Sequence, residues 1–247
     1  VSLAFFIFQV AKFAVLFIII IITGSIARQG RLKVNYTRKI NHFAIAFLPE
    51  LLYKVIYYEI NDLTVVAGAV ISLSYFALLI KPVRSRVRLL QTAFCAIDRP
   101  EDRPHTLFLF VTQFTVGIVV IVPFFLYFSY FQDFRLVYIP LFINGLGDGL
   151  AEPVGVRFGR HPYKVRPLFG NKTYIRTIEG SACVFIISIV ILLLFKELFT
   201  ARQLIAALIL LPPAATAAEA LSPHTWDAPF ILAVCGFVLT AVKLIFS

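Results

Sequence analysis

Leu3–Ile26 reads LAFFIFQVAKFAVLFIIIIITGSI. Roughly 20 apolar residues suffice for a helix to cross the hydrocarbon core of a bilayer, and this run is long enough. It has no basic start, and its apolar run is longer than a signal-peptide core, so it reads as a membrane span. The rest of the chain has the same character. Of 247 residues, 60% are hydrophobic and 15% charged, and the mean hydropathy is +0.89. That composition excludes a soluble globular domain. No polar stretch is long enough for a second, soluble domain. Residues 1–247 therefore read as a single integral membrane domain. The fold class expected is all-α, a polytopic transmembrane helix bundle. Cys95, Cys183 and Cys235 are scattered, without metal spacing, and read as small apolar fillers.

Hydropathy places eight spans, near residues 3–26, 40–58, 63–80, 107–131, 136–156, 180–195, 203–219 and 228–246. The second, fifth and seventh are the least apolar and are expected to face protein or water. Lys and Arg concentrate in three connecting stretches. These are Arg28 to Lys39, Lys81 to Arg103, and Arg157 to Arg176. With eight spans all three fall on one side, which the positive-inside rule makes the inner one. Both termini are then outside. The asymmetry explains much of the net charge of +10. Fixing topology and touching anionic lipid heads accounts for most of these cations.

The acids are more informative. Of the 13 carboxylates, Glu59, Asp62, Asp133 and Glu197 fall in outer turns, and Asp98, Glu101 and Asp102 in an inner polar loop. Glu50 precedes Lys54 by one helical turn and can pair with it. Asp148, Glu152, Glu179, Glu219 and Asp227 remain, and all five map to the inner ends of the last four spans.

Asp148 and Glu152 stand in NGLGDGLAEPVGVRFGRH (Asn144–His161), four residues apart and so on one helix face. A metal ion would relieve their repulsion, and carboxylate oxygens completed by water and phosphate suit Mg²⁺. The glycines permit close backbone approach and broken helix geometry, which is tolerated at membrane depth where it lines a cavity. Arg157, Arg160, Lys164, Arg166, Lys172 and Arg176 follow. Acids and bases around a glycine-rich break fit a metal-bound phosphate. A structural ion-pair cluster near the interface accounts for the same residues equally well. The pattern is neither a P-loop nor a dinucleotide-binding fingerprint. Among the histidines His42, His105, His161 and His224, only His42 is kept as a candidate, with a helix-end role equally open. The aromatic fourth span, Phe124 to Phe131, reads more readily as an interfacial belt than as a substrate path.

The stretch GDGLAEPVGVRFGRHPY (Gly147–Tyr163), with NKTYIRTIEGSACVF (Asn171–Phe185), resembles the membrane lipid kinases of phytol, farnesol and dolichol. Those are distantly related to the phosphatidate cytidylyltransferases. TRKINHFAI (Thr37–Ile45) resembles that family's early Arg-Lys-x-x-His element, and AATAAEALSPHTWDAPF (Ala214–Phe230) its late acidic element. The likeness covers roughly residues 37–230, in the expected order.

The resemblance implies CTP as phosphoryl donor, Mg²⁺ as cofactor and a membrane-embedded lipid alcohol as acceptor. It implies Asp148, Glu152, Glu179 and Glu219 as metal ligands, and Asp148, Glu179 and Asp227 as catalytic residues. Nucleotide and phosphate contacts fall to Arg157, Arg160, Lys172, Arg176, Gly147 and Gly149, with Arg38, Lys39 and His42 from the early element. One departure stands out, Ala228 where the family has Asn after the late Asp.

The expected setting is a bacterial inner membrane with the site on the cytoplasmic face. Membrane lipids are the expected surroundings, a homodimer is compatible, and no nucleic-acid partner is expected. A cytidylyltransferase, a diacylglycerol kinase and a transporter remain as alternative readings. No internal repeat supports the transporter.

Overall fold

The computed structural model describes residues 1–166 and 173–246. The chain is almost wholly helical and divides into two compact units, Val1–Thr115 and Val116–Ser247. Among the described residues five helices are long and apolar enough to cross a membrane.

The first unit begins with α1 (Leu3–Arg28), capped by the Ser2 hydroxyl, which accepts from the Phe5 amide. Then come α2 (Val34–Tyr53), α3 (Asp62–Ser74), which continues as a 3₁₀ turn to Leu79, and two short helices, α4 (Lys81–Arg84) and α5 (Arg88–Cys95). An Asn61–Thr64 capping box starts α3. Helix α1 packs on both α2 and α5. At the α5 crossing a methyl group on Gly24 would overlap the Thr92 carbonyl, so only glycine permits that approach. The α1–α2 contact is polar. Asn41 of α2 donates to the Thr23 hydroxyl of α1 at 2.8 Å, while Thr37 ties α2 to the end of α5 by donating to the Ala96 carbonyl at 2.9 Å. A small core of Leu79, Ala93, Ala96 and Ile97 closes against Phe76, Phe94 and Phe110.

Helix α6 (Thr106–Phe131) contains the boundary between the units. In the second unit a 3₁₀ turn leads into α7 (Tyr138–Phe142), a π-helical stretch (Ile143–Asp148) and α8 (Gly149–Phe158). Two strands follow, β1 (Pro162–Val165) and β2 (Tyr174–Thr177). The remaining helices are α9 (Ile178–Leu194), α10 (Ala201–Leu221) and α11 (Asp227–Ile245). Phe128, Leu136, Ile139, Ile143, Val184, Leu192, Leu211, Ile231 and Leu239 form the core.

Helices occupy all eight segments that hydropathy marks, but they are not alike. Those meeting the length and apolarity of a span are α1, α3 with its 3₁₀ extension, α6, α10 and α11. Helix α9 is apolar but shorter, α2 carries too much polarity, and residues 134–158 are broken into four helical pieces.

The all-α expectation holds, and one short hairpin adds to it. β1 and β2 pair antiparallel, with Pro162 opposite Thr177 and Val165 opposite Tyr174. The basic stretch read as a loop hides a two-residue alternation. Tyr163, Val165, Tyr174 and Arg176 share the inward face, while Lys164 and Ile175 point out.

Candidate functional site

The glycine-rich segment is organised by helix packing. The π turn ends at Asp148, and α8 runs on from Gly149 beside α9. A methyl on Gly147 would lie 3.2 Å from the Cα of Val184. One on Gly180 would lie 2.7 Å from the Ala151 carbonyl oxygen, and one on Gly155 2.7 Å from the Thr177 hydroxyl. Gly147, Gly155 and Gly180 thus bring two backbones together along an antiparallel pair. Gly149 is buried as the first residue of α8. The π turn is the broken helix geometry expected there, a feature frequent at functional sites.

This packing sets the depth of each acid. Asp148 is buried beside Gly147, level with Val184 and so about two turns inside the start of α9. Glu152, one turn further on, is half-buried at the level of Gly180. Glu179 lies in the first turn of α9, Glu219 in the last turn of α10, and Asp227 opens α11. Glu219 and Asp227 are buried. Four helices therefore deliver five acids to one end of the second unit, the end covered by the hairpin.

The hairpin's inward face seats it there. The Tyr163 and Ser181 hydroxyls meet at 2.7 Å. Burial pushes the Tyr163 phenol above its ordinary pKa. Tyr174 stacks on the His224 ring, centroids 3.5 Å apart, and the His224 amide donates to the Arg166 carbonyl at 3.1 Å. Arg176 donates to the Glu219 carbonyl and, at 3.1 Å, to the Ser222 hydroxyl, with its Nε 3.7 Å from the Glu219 carboxylate. Arg176, assigned by sequence to phosphate, ties β2 to the end of α10.

Glu179 meets His161. His161 Nδ1 lies 2.7 Å from a Glu179 carboxylate oxygen, and the His161 amide donates to the other at 3.4 Å. The hydrogen bond from His161, with further backbone donors, lowers the Glu179 pKa to about 2. A carboxylate so held stays ionised. Arg157 and Arg160 are exposed, and Arg157 sits in the last turn of α8, where a cation suits the helix dipole. Lys172 lies outside the described residues.

Arg38, Lys39 and His42 belong to α2 in the first unit. Lys39 is buried, and Arg38 stands 3.9 Å from Asp102. Asp102 itself does not lie in an open polar loop. It is buried with Arg99, whose guanidinium contacts it at 2.7 Å.

The residues that sequence reasoning missed are His161, Tyr163, Ser181, Ser222 and His224. The strand alternation was the signal for Tyr163; the others are brought in only by tertiary packing. The α10–α11 turn also holds Thr225 at φ +70°, with a buried hydroxyl lacking a hydrogen-bond partner. A β-branched residue in that conformation is strained, and such strain clusters at functional sites.

Among the described residues no three His, Cys, Asp or Glu side chains converge as a metal cage would require. The donor set fits Mg²⁺ in another manner. One or two carboxylates with substrate phosphates and water complete its octahedron, and Asp148 with Glu152 supplies such a pair. No family model matches the chain, nor does any curated protein or solved structure.

Proposed function

We propose that the chain is a CTP-dependent kinase that phosphorylates a membrane-embedded lipid alcohol, an isoprenoid such as phytol, farnesol or a polyprenol. The observation that carries this reading is the delivery of Asp148, Glu152, Glu179, Glu219 and Asp227 by four helices to one end of the second unit. The resemblance of the same segments to lipid kinases supports it.

Asp148 and Glu152 would hold Mg²⁺, which when bound neutralises charge on the triphosphate. Arg157, Arg160 and Lys172 would bind phosphate oxygens, and Arg176 keeps the hairpin on α10. Phosphoryl transfer needs positioning and charge neutralisation above all. The lipid hydroxyl oxygen attacks the γ-phosphorus, the bond to the β–γ bridging oxygen breaks, and CDP leaves. Asp148 or Asp227 accepts the hydroxyl proton. Eight spans, both termini outside and the site on the cytoplasmic face of a bacterial inner membrane complete the reading. The positive-inside distribution supports that orientation.

Product analysis tests the reaction. Purified protein with Mg²⁺ and labelled CTP is offered phytol, farnesol, a polyprenol, diacylglycerol and phosphatidate in turn. A lipid alcohol monophosphate with CDP is the expected outcome. A CDP-lipid with pyrophosphate, or no turnover with any acceptor, overturns it.

A further inference from the structure

The arginines of the first unit fall into two groups. Arg99 contacts Asp102 and Glu101, Arg103 contacts Asp98, and Arg84 lies on the Phe94 ring while donating to the Leu79 carbonyl at 2.7 Å. Those cations are used by the fold, and so are the acids beside them. Arg28, Arg31, Lys33, Arg86 and Arg88 are exposed, and among the described residues none of them forms an ion pair.

Three of these are gathered where α1 crosses α5. The close approach of Gly24 to the Thr92 carbonyl fixes that crossing. Arg28 lies one turn beyond Gly24 on the same face of α1. Its guanidinium donates to the Thr92 hydroxyl at 3.3 Å, and that hydroxyl donates in turn to the Arg88 carbonyl at 3.0 Å. Arg88 thus stands one turn from Thr92, on the face of α5 that receives Arg28. The stop of α1 holds the third. Gly30 takes a φ of +69°, its amide donates to the Ala27 carbonyl, and the Arg31 amide turns back to the Ile26 carbonyl at 3.2 Å.

Like charges so placed repel, and an anion would relieve them. The guanidinium fork of N–H donors is matched to phosphate oxygens. Depth selects the source of that phosphate. Arg28 is the last residue of a span-length apolar helix, so the crossing stands at the level of lipid head groups. Leu89 borders the same face of α5, three residues from Thr92, and is 54% exposed. A leucine beside the cations suits an acyl chain and offers nothing to a soluble anion.

We propose that the α1–α5 crossing is a binding site for the head-group phosphate of an anionic phospholipid, held between Arg28 and Arg88 with Arg31 at its edge. This site lies in the first unit and does not depend on the kinase reading.

The test uses the full chain in phosphatidylcholine nanodiscs that contain a small share of phosphatidylglycerol with a diazirine on its head group. Labelling is read by peptide mass spectrometry, with no turnover involved. The expected result is saturable labelling of the end of α1 or of α5. Unlabelled phosphatidylglycerol displaces it; added phosphatidylcholine, inorganic phosphate and CTP do not. Arg28→Gln and Arg88→Gln each lower it about fivefold, and Lys33→Gln, at the start of α2, lowers it less. Thr92→Val leaves every charge in place and removes the hydroxyl that seats Arg28, so it lowers labelling about threefold or more. Displacement by inorganic phosphate or CTP would make this a site for soluble anions and overturn the proposal. Equal displacement by phosphatidylcholine, an equal loss in Lys33→Gln, or labelling unchanged in Thr92→Val would reduce it to diffuse surface charge and overturn it as well.

Discussion

Arg99 and Asp102 of the first unit and the acids of the second are two different arrangements of charge. Arg99 and Asp102 lie three residues apart in one short stretch, both buried, in contact at 2.7 Å. Their charges cancel locally, with Arg38 and Glu101 close by. The second unit draws Asp148, Glu179, Glu219 and Asp227 from α8's entry, α9, α10 and α11. Their placement constrains four helices and a hairpin. A pair from a single turn is explained by the fold it stabilises. Acids from four helices are explained better by a joint task, and that is the reason to look for chemistry in the second unit.

The comparison breaks most readily at Asp102. Asp102→Ala leaves the Arg99 guanidinium buried without its carboxylate, and breaking a buried pair costs about 3–5 kcal/mol. A large fall in the thermal unfolding midpoint is expected, and an unchanged midpoint would deny the pair its structural role. Glu219→Gln probes the other side. It is expected to cut turnover about 10–100-fold, as loss of an orienting carboxylate does, with unfolding little changed. Equal activity in steady-state assays would remove Glu219 from the site.

Smaller effects sharpen the contrast. Gly180→Ala sets a methyl 2.7 Å from the Ala151 carbonyl oxygen. Overpacking of that kind costs about 1–3 kcal/mol. Because it moves α8 against α9, stability and turnover should fall together. A fall in one alone would separate packing from the acids. The smallest effect is at Glu179. Its folded pKa of about 2 lies below the ordinary value of 4.5. Its contribution to stability is therefore full above pH about 4.5 and is lost as pH falls toward about 2. His161→Ala removes the main cause of the shift, so the unfolding midpoint near neutrality should fall modestly and acid unfolding should move to higher pH. An unmoved acid transition would show that the pair contributes nothing.

The membrane character was legible because composition and run length suffice for it, and α1, α6, α10 and α11 lie within a few residues of where hydropathy puts them. The broken region at 134–158 was foreshadowed by Gly145, Gly147 and Gly149, yet the use of Gly147, Gly155 and Gly180 as packing contacts depends on α9, a partner the local sequence does not reveal. The hairpin was missed because its alternation mixes Tyr, Val and Arg on the inward face, so apolarity alone shows no period of two. Asp102 was missed for a similar reason. Its loop is polar in composition, and only the tertiary fold buries it with Arg99. Hydropathy already put the five acids near the ends of helices that meet at one end of the second unit, but not Asp148 about one turn deeper than Glu179. His161 and Tyr163, which serve that end, were not legible.

The most direct test is Asp148→Asn, with CTP turnover and thermal unfolding measured on the same preparation. The account predicts an unfolding transition like that of the unchanged chain and a loss of turnover of about a hundredfold or more, the scale expected when one preorganised charge contact is removed. Full activity, or loss of activity together with loss of the fold, would contradict it.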